Sequence, residues 1–360
     1  MPMQVSETAV HLIAWYEKNK RDLPWRKTRD IYAVWISETM LQQTQVAAAI
    51  PYYLRFLSVF PELRILSESS EQEVLKLWQG LGYYSRARNL YRAAKVVTDE
   101  YGGVIPDQPE EFSKLPGVGP YISAAVLSIC RDLPLPAVDS NVMRVFSRFR
   151  ALDMDISKPA ARNHISQVLT RVIPRKKPGI FNQAVMELGA MICRPRFPNC
   201  HLCPISIRCR AFGQHRVEWY PVKSTRPAIP EYRVSVAVIL KNHHFYIQKR
   251  SSRGHLGGLW EFPGGKAGAD ETDEQALLRE CQEELGVRLE IKKKITTIGH
   301  GYSHFRIRLS FFACNLPDGE SIRTSIPHKW ITLGDIPDYP FPAANHKFFP
   351  LLKIHMSTIL

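Results

Sequence analysis

The 360-residue chain has no apolar run that approaches the length of a membrane span. Its first residues carry Glu7 and Glu17 among apolar positions and show no signal-peptide core. A cytoplasmic location is therefore expected. There is no internal repeat and no low-complexity tract. Acidic residues are in short supply: 34 Asp and Glu face 48 Lys and Arg, for a formal net charge of +14. That balance favours a polyanionic partner, nucleic acid first. Cysteine is scarce and uneven, with seven in the chain and four crowded between 193 and 209. In a reducing compartment such a cluster points to metal rather than disulfides.

What is present is concentrated in a few stretches. Leu115-Pro116-Gly117-Val118-Gly119 precedes an apolar helix with Ile122, Ala125, Val126 and Ile129 on one side. The paired glycines permit a tight turn. The first N–H groups of the following helix have no internal partner, so Gly117 and Gly119 mark a candidate phosphate grip. Val138-Asp139-Ser140-Asn141-Val142 then sets one carboxylate between apolar residues at the start of another helix. Trp35–Val46 reads as helix and puts Glu38 on the turn beside Trp35, Leu41 and Gln42. A carboxylic acid among apolar neighbours has its pKa raised toward the range a general acid needs. Gln42, Gln43 and Gln45 offer amide edges that can pair with base edges. Leu23-Pro24-Trp25-Arg26 places an aromatic and an arginine in one turn, suited to walling a planar ring. Gln79–Asn89 breaks the helical region 52–101 with glycines, Tyr83, Tyr84, Arg86 and Arg88, a composition suited to stacking and phosphate contact.

Residues 160–192 read helical and end in Phe181-Asn182-Gln183-Ala184-Val185-Met186-Glu187-Leu188. Cys193, Cys200, Cys203 and Cys209 follow, spaced C-x6-C-x2-C-x5-C. Four thiolates this close suit an iron–sulfur cluster or zinc, and spacing alone leaves both open. Periodicity lapses over 210–231, and the linker is drawn at 217–231. Beyond it Val234, Val236 and Val238 alternate as a strand, and residues 245–250 return after a turn. A helix is expected over about 272–285, with strands at 294–300 and 305–314. A helical domain over 1–216 thus precedes a separate α+β domain over 232–360.

Together these motifs resemble the MutY-type adenine DNA glycosylases of the helix-hairpin-helix superfamily. The likeness covers LPWR at 23–26, SETMLQQTQV at 37–46, GLGYYSRARNL at 80–90, LPGVGPY at 115–121, VDSNVMRV at 138–145, FNQAVMELGAMIC at 181–193 and the cysteine loop. It implies a multidomain fold. An all-α glycosylase domain carries its hairpin at about 112–130 and a [4Fe–4S] loop at 193–209, and an α+β Nudix-like domain follows. The implied activity is removal of adenine mispaired with 8-oxoguanine or guanine in double-stranded DNA. Glu38 would protonate adenine N7, and Asp139 would stabilise the oxocarbenium-like sugar. Tyr121 and Asn141 would orient these carboxylates. Trp25, Arg26 and Gln183 would wall the adenine pocket. Gln42, Gln43, Tyr83, Arg86, Arg88, Gly117 and Gly119 would meet DNA, with Gln43 and Tyr83 inserted beside the orphaned base. The cluster ligands would be Cys193, Cys200, Cys203 and Cys209. Tyr121 stands where bifunctional relatives carry the Schiff-base lysine, which implies a monofunctional enzyme. Tyr302, Ser303 and His304 match the family's 8-oxoguanine recognition loop.

Two departures accompany the resemblance. Ser140 stands where the family usually has glycine, and a positive φ there would strain a serine. The C-terminal domain also carries a full Nudix box, Gly265-x5-Glu271-x7-Arg279-Glu280-x2-Glu283-Glu284-x-Gly286-Val287. Glu280, Glu283 and Glu284 share a helix face and would suit Mg²⁺. This leaves a second expectation, a nucleotide-pool hydrolase fused to a DNA-binding domain. The family further implies a DNA-associated monomer of bacterial type with contacts to sliding clamps, mismatch-repair factors or abasic-site endonucleases.

Overall fold

Proline and short polar caps divide the helical sequence into many short elements. Pro109, Pro120, Pro159 and Pro178 each open a helix, where the missing N–H is one that has no intrahelical partner anyway. Asp30 and Asp139 accept from the N–H groups of Ala33 and Val142, and Ser70 forms a capping box with Glu73. The computed structural model describes residues 2–359 except 225–227, 252, 253, 255 and 303.

The chain divides into two compact units, Met1–Glu68 with Asn89–Arg226, and Ser69–Arg88 with Pro227–Leu360. In chain order the first twelve helices are α1 (Pro2–Asn19), α2 (Ile31–Leu41), α3 (Val46–Val59), α4 (Leu63–Glu68), α5 (Glu71–Trp78), α6 (Ser85–Glu100), α7 (Pro109–Phe112), α8 (Pro120–Arg131), α9 (Ser140–Arg150), α10 (Pro159–Val172), α11 (Pro178–Met191) and α12 (Arg210–Gly213). One core of the first unit gathers Leu12 and Tyr16 of α1, Val142 and Val145 of α9, Ile165 of α10, and Ala184 and Leu188 of α11. Helix α2 is apolar all round and buried from Ile31 to Met40, as a core helix should be. Helix α11 lies against α8 because residue 179 is glycine: a Cβ there would sit 2.3 Å from the Ser128 carbonyl oxygen.

The remainder of the second unit contains β1 (Glu231–Lys241), β2 (His244–Lys249), β3 (Trp260–Glu261), β4 (Gly264–Lys266), α13 (Asp273–Leu285), β5 (Glu290–Gly301), β6 (Arg306–Asn315), β7 (His328–Ile331), α14 (Ala343–His346) and α15 (Phe349–Ile359). The sheet order is β3-β2-β1-β6-β5, with β4 on β1 and β7 on β2. Only the β1–β6 pair among these is parallel, in register Val236↔Phe311. The alternation read from the sequence is realised on both faces. Val236 and Val238 face Phe311, Phe341 and Phe348, while Ala237 and Ile239 face Leu277, Cys281 and Leu285 of α13.

Three local expectations change. The helix expected over Trp35–Val46 stops at Leu41, and Gln43 adopts a left-handed φ of 56° in the turn that follows. Residues 160–192 form two helices, α10 and α11, because Pro174 and Pro178 interrupt the run. Ser140 is the first residue of α9 and does not have positive φ, so the expected strain is absent. Among the described residues no helix is long and apolar enough to cross a membrane.

Candidate active site

Glu38 arises on α2, so its neighbours are apolar by the composition of that helix, and only 6% of its surface is exposed. Burial pushes its carboxyl up to about 7, and the nearby Asp139 charge adds to the rise. A hydrogen bond from Tyr121 and the Arg26 charge act the other way. The Tyr121 hydroxyl, on the first turn of α8, donates to Glu38 Oε2 at 2.7 Å. Burial and the two carboxylates raise the phenol well above its usual pKa, so it remains a donor.

Asp139 is the N-cap of α9. One carboxylate oxygen accepts from the Val142 N–H at 2.7 Å and the other from Asn141 Nδ2 at 2.8 Å. Burial raises this carboxyl too, opposed by those bonds and by Arg144. Asn141 is itself held, since its Oδ1 accepts from Arg144 Nη2 at 2.8 Å. Arg144 also donates to the carbonyls of Gly189 at 2.7 Å and Cys193 at 2.8 Å. A Cβ at residue 189 would meet Asn141 Cβ at 2.6 Å, so glycine there lets α11 approach the start of α9.

Trp25 is buried edge-on to Tyr53, with ring centroids 5.3 Å apart. Arg26 clamps Glu187 with both terminal nitrogens, at 3.0 and 2.8 Å, and its guanidinium lies over the Tyr16 ring. Arg21 joins the same carboxylate. Burial would raise the Glu187 carboxyl, but the hydrogen bonds from Arg21 and Arg26 hold it down at about 2. Gln183 accepts from the Tyr16 hydroxyl at 3.0 Å, which fixes its amide on the same side of α11. Glu187, Arg144 and Arg148 were not singled out by the sequence reading. For the two arginines a signal was available, since Arg144 and Arg148 stand at i, i+4 on a strongly amphipathic helix, and both are buried in the fold.

The residues expected at DNA divide. Gly117 has a φ of 80° and packs against Asn89, while Gly119 caps α8 with open space beyond it and no side-chain cap. That leaves a helix N-terminus clear for an anion. Gln43 is exposed, Gln42 half-buried, and Tyr83 half-buried with a left-handed φ of 50°. Arg86 and Arg88 differ from the expectation of phosphate contact, with exposures of only 8% and 7%. Arg86 donates to the Gly82 carbonyl at 2.9 Å and Arg88 to that of Gly257 at 2.7 Å, so both guanidiniums serve the fold.

Cys193, Cys200, Cys203 and Cys209 line one cavity with Arg148, Ser206 and Phe212. Arg148 Nη1 lies 3.4 Å from Cys193 Sγ, and the backbone N–H groups of Ile205 and Phe212 serve Cys203 and Cys209. Burial pushes the Cys203 thiol up to about 12, so a thiolate there needs a cation beside it.

In the second unit Tyr302 packs between His300 and Phe305, and its N–H donates to the Phe305 carbonyl at 2.8 Å. His304 is exposed, and Ser303 lies outside the described residues. The carboxylates expected to hold Mg²⁺ are engaged by other side chains. Arg279 bridges Glu271, Glu280 and Glu283, and Glu284 accepts from Gln248 at 2.6 Å. Among the described residues no three His, Cys, Asp or Glu are set to hold a metal ion.

Residues 36–171 match the family described as the HhH-GPD superfamily base excision DNA repair protein, and residues 235–351 match the NUDIX domain. The chain is 33% identical to the adenine DNA glycosylase of Mus musculus over 399 residues, covering 96% of this chain and 78% of that protein. It is 31% identical to the adenine DNA glycosylase of Buchnera aphidicola subsp. Schizaphis graminum, covering 95% and 97%. Among solved structures, a thermostable thymine-DNA glycosylase matches with a TM-score of 0.54 and 27% identity, over 59% of this chain and 98% of that one. Endonuclease III in a trapped covalent DNA intermediate matches with a TM-score of 0.52, 60% and 98% coverage and 21% identity, a likeness of fold.

Proposed function

This chain belongs to the adenine DNA glycosylase family of base excision repair, and from that premise we propose that Glu38 and Asp139 together remove adenine mispaired with 8-oxoguanine or guanine. The carrying observation is the buried Glu38 carboxyl, raised to about 7 and bonded by Tyr121, within the electrostatic reach of Asp139. Adenine leaves poorly as an anion. Glu38 is protonated near neutral pH and can deliver its proton to N7. Departure leaves positive charge on the sugar, which the Asp139 carboxylate stabilises. Hydrogen bonds from Asn141 and the Val142 N–H favour its ionised form against the effect of burial. This divides acid and stabiliser as paired carboxylates do in glycoside hydrolysis. Water completes the reaction, with Glu38 as its base.

The target base leaves the stack at a cost of roughly a few kcal/mol. Gln43 and Tyr83, on exposed or half-buried left-handed turns, insert beside the orphaned base. Gly117 and Gly119 grip phosphate, and Trp25, Arg26 and Gln183 wall the adenine pocket. Glycosylase activity is assigned to residues 1–216, the linker to 217–231 and 8-oxoguanine reading to 232–360 through Tyr302, Ser303 and His304, with residues 69–88 grouped with the C-terminal unit rather than with the rest of 1–216. A [4Fe–4S] cluster on Cys193, Cys200, Cys203 and Cys209 is supported by the one cavity that the four cysteines line. When bound, it supplies compensating charge for the thiolates and holds the 193–209 loop.

The test uses duplexes with adenine opposite 8-oxoguanine, guanine, cytosine or thymine, read by alkaline cleavage under single turnover. Cleavage is expected for the first two, and Glu38→Gln should slow it by about 10²–10⁴-fold. Asp139→Asn should also abolish it. Because Tyr121 cannot form an imine, borohydride should trap no covalent adduct. Efficient trapping, or cleavage that survives Glu38→Gln, would overturn the reading.

A further inference from the structure

Residues 69–88 lie within the helical stretch of the sequence yet belong to the C-terminal unit. Lys76 pairs with Asp338 at 3.0 Å, and Gln79 Nε2 lies 2.6 Å from His346 Nε2. The Tyr84 hydroxyl donates to the Phe341 carbonyl at 3.5 Å, and Arg88 Nη1 donates to the Gly257 carbonyl at 2.7 Å. The Lys76 pair is exposed and contributes little. The other three anchor the start, middle and end of the loop in partly or fully buried surroundings, where losing a partner is costly. Burial keeps the His346 ring below its usual pKa, and the Phe341 backbone bonds the same ring. The neutral ring thus offers Nε2 as acceptor to the Gln79 amide.

The loop so held is strained. Gly80, Gly82 and Tyr83 have φ of 96°, 77° and 50°, and Tyr83 lacks the freedom of glycine. Such a residue persists when its surroundings over-determine it. Trp78 Nε1 and Arg86 Nη2 both donate to the Gly82 carbonyl, at 3.1 and 2.9 Å, and the Arg86 guanidinium lies 5.4 Å from the centre of the Tyr83 ring. The turn around Gly258, with a φ of 78°, lies in van der Waals range of the same segment. A Cβ there would lie 3.4 Å from a Glu71 carboxylate oxygen and 3.7 Å from Leu75.

We infer that the C-terminal unit seats the Tyr83 loop for base extrusion, with His346 and the Gly257–Gly258 turn as its positioning residues. This rests on the proposed role of Tyr83 in opening the stack. The unit that bears the segment 301–304 then also sets the loop that parts the bases. Reading the oxidised base and extruding adenine are therefore coupled through one folded body.

The full-length chain tests this with His346→Leu, which removes the acceptor, and His346→Gln, which restores one. Amide hydrogen exchange over residues 80–86 should accelerate about tenfold in His346→Leu and return toward wild type in His346→Gln. Fluorescence of 2-aminopurine placed at the target position should show extrusion slowed several-fold in His346→Leu. The pH dependence of cleavage, set by Glu38, should not move. Unchanged exchange over 80–86 overturns the inference, and so does faster exchange with unchanged extrusion. Unfolding of His346→Leu would appear as exchange throughout the unit, and Gly258→Ala then provides the same comparison from the other anchor. A wild-type chain that cleaves no adenine would count against the proposed function, while the exchange data would still decide whether the loop is seated.

Discussion

At the scale of single residues, the pairing of Glu38 with Tyr121 fixes the sign of a pH effect expected under the proposed mechanism. The Glu38 carboxyl is raised from 4.5 to about 7 when folded, so the stability it contributes is full below 4.5 and is lost as pH rises through about 7. Catalysis follows the same proton. The rate should fall above about 7, where the acid loses its proton, and fall again at low pH as Asp139 becomes protonated; both limbs report the coupled pair. The Tyr121 hydrogen bond favours the ionised carboxylate and so lowers the Glu38 pKa. Tyr121→Phe is therefore expected to move the descending limb of the single-turnover profile to higher pH. A limb that stays put or moves down would show that the hydroxyl does not govern this acid. Much of this was legible beforehand, because an acid in an apolar helix can be read from Trp35–Leu41 alone. The Arg21–Glu187–Arg26 clamp was not. Glu187 lies more than 160 positions from either arginine, and nothing local distinguishes it from an ordinary helical glutamate.

Helices α8, α9 and α11 carry much of the candidate site, and two glycines on α11 decide how closely they meet. Gly179 faces backbone, with a Cβ 2.3 Å from the Ser128 carbonyl oxygen, so an alanine there must push helices apart. Overpacking of this kind typically costs about 1–3 kcal/mol, and Gly179→Ala should lower the melting temperature by several degrees. Gly189 faces the side chain that holds Asp139, with Asn141 Cβ at 2.6 Å and its Cα at 3.2 Å. Gly189→Ala should therefore lower the cleavage rate by more than its loss of stability explains. Melting curves and single-turnover rates on the two variants separate the effects, and a wild-type rate in Gly189→Ala would remove Asn141 from the positioning of Asp139. The existence of these helices could be read from periodicity and proline placement. Where they stop could not: Gln43 lies in a left-handed turn because the chain must reverse into α3, a tertiary demand with no glycine to announce it. The opposite held at Ser140, where a missing glycine suggested strain that the helical backbone of α9 does not impose.

For the whole molecule, the net charge of +14 and the proposed reader in the second unit make separate predictions for affinity and for specificity. Charge attracts any duplex, because each neutralised phosphate releases counterions whatever the base opposite adenine. Reading 8-oxoguanine against guanine requires contact with a base edge, which carries no such salt term. The burial of Arg86 and Arg88 sharpens this division, since two of the arginines expected on phosphate are spent on carbonyls within the fold. Composition counted them as surface charge; only the folded loop shows where they point. The affinities for adenine opposite 8-oxoguanine and opposite guanine should therefore fall with the same slope on a plot of log K against log salt. With six to ten phosphate contacts, both would lose about 10³–10⁵-fold between roughly 50 and 200 mM salt. His304→Ala, at an exposed position of the proposed recognition segment, should narrow the ratio between the two substrates and leave both slopes unchanged. Equilibrium binding to each duplex in a catalytically silent Glu38→Gln background measures slope and ratio together. Slopes that differ between the mispairs, or a ratio untouched by His304→Ala while the slope shifts, would mean that discrimination comes from backbone contacts rather than from the C-terminal reader.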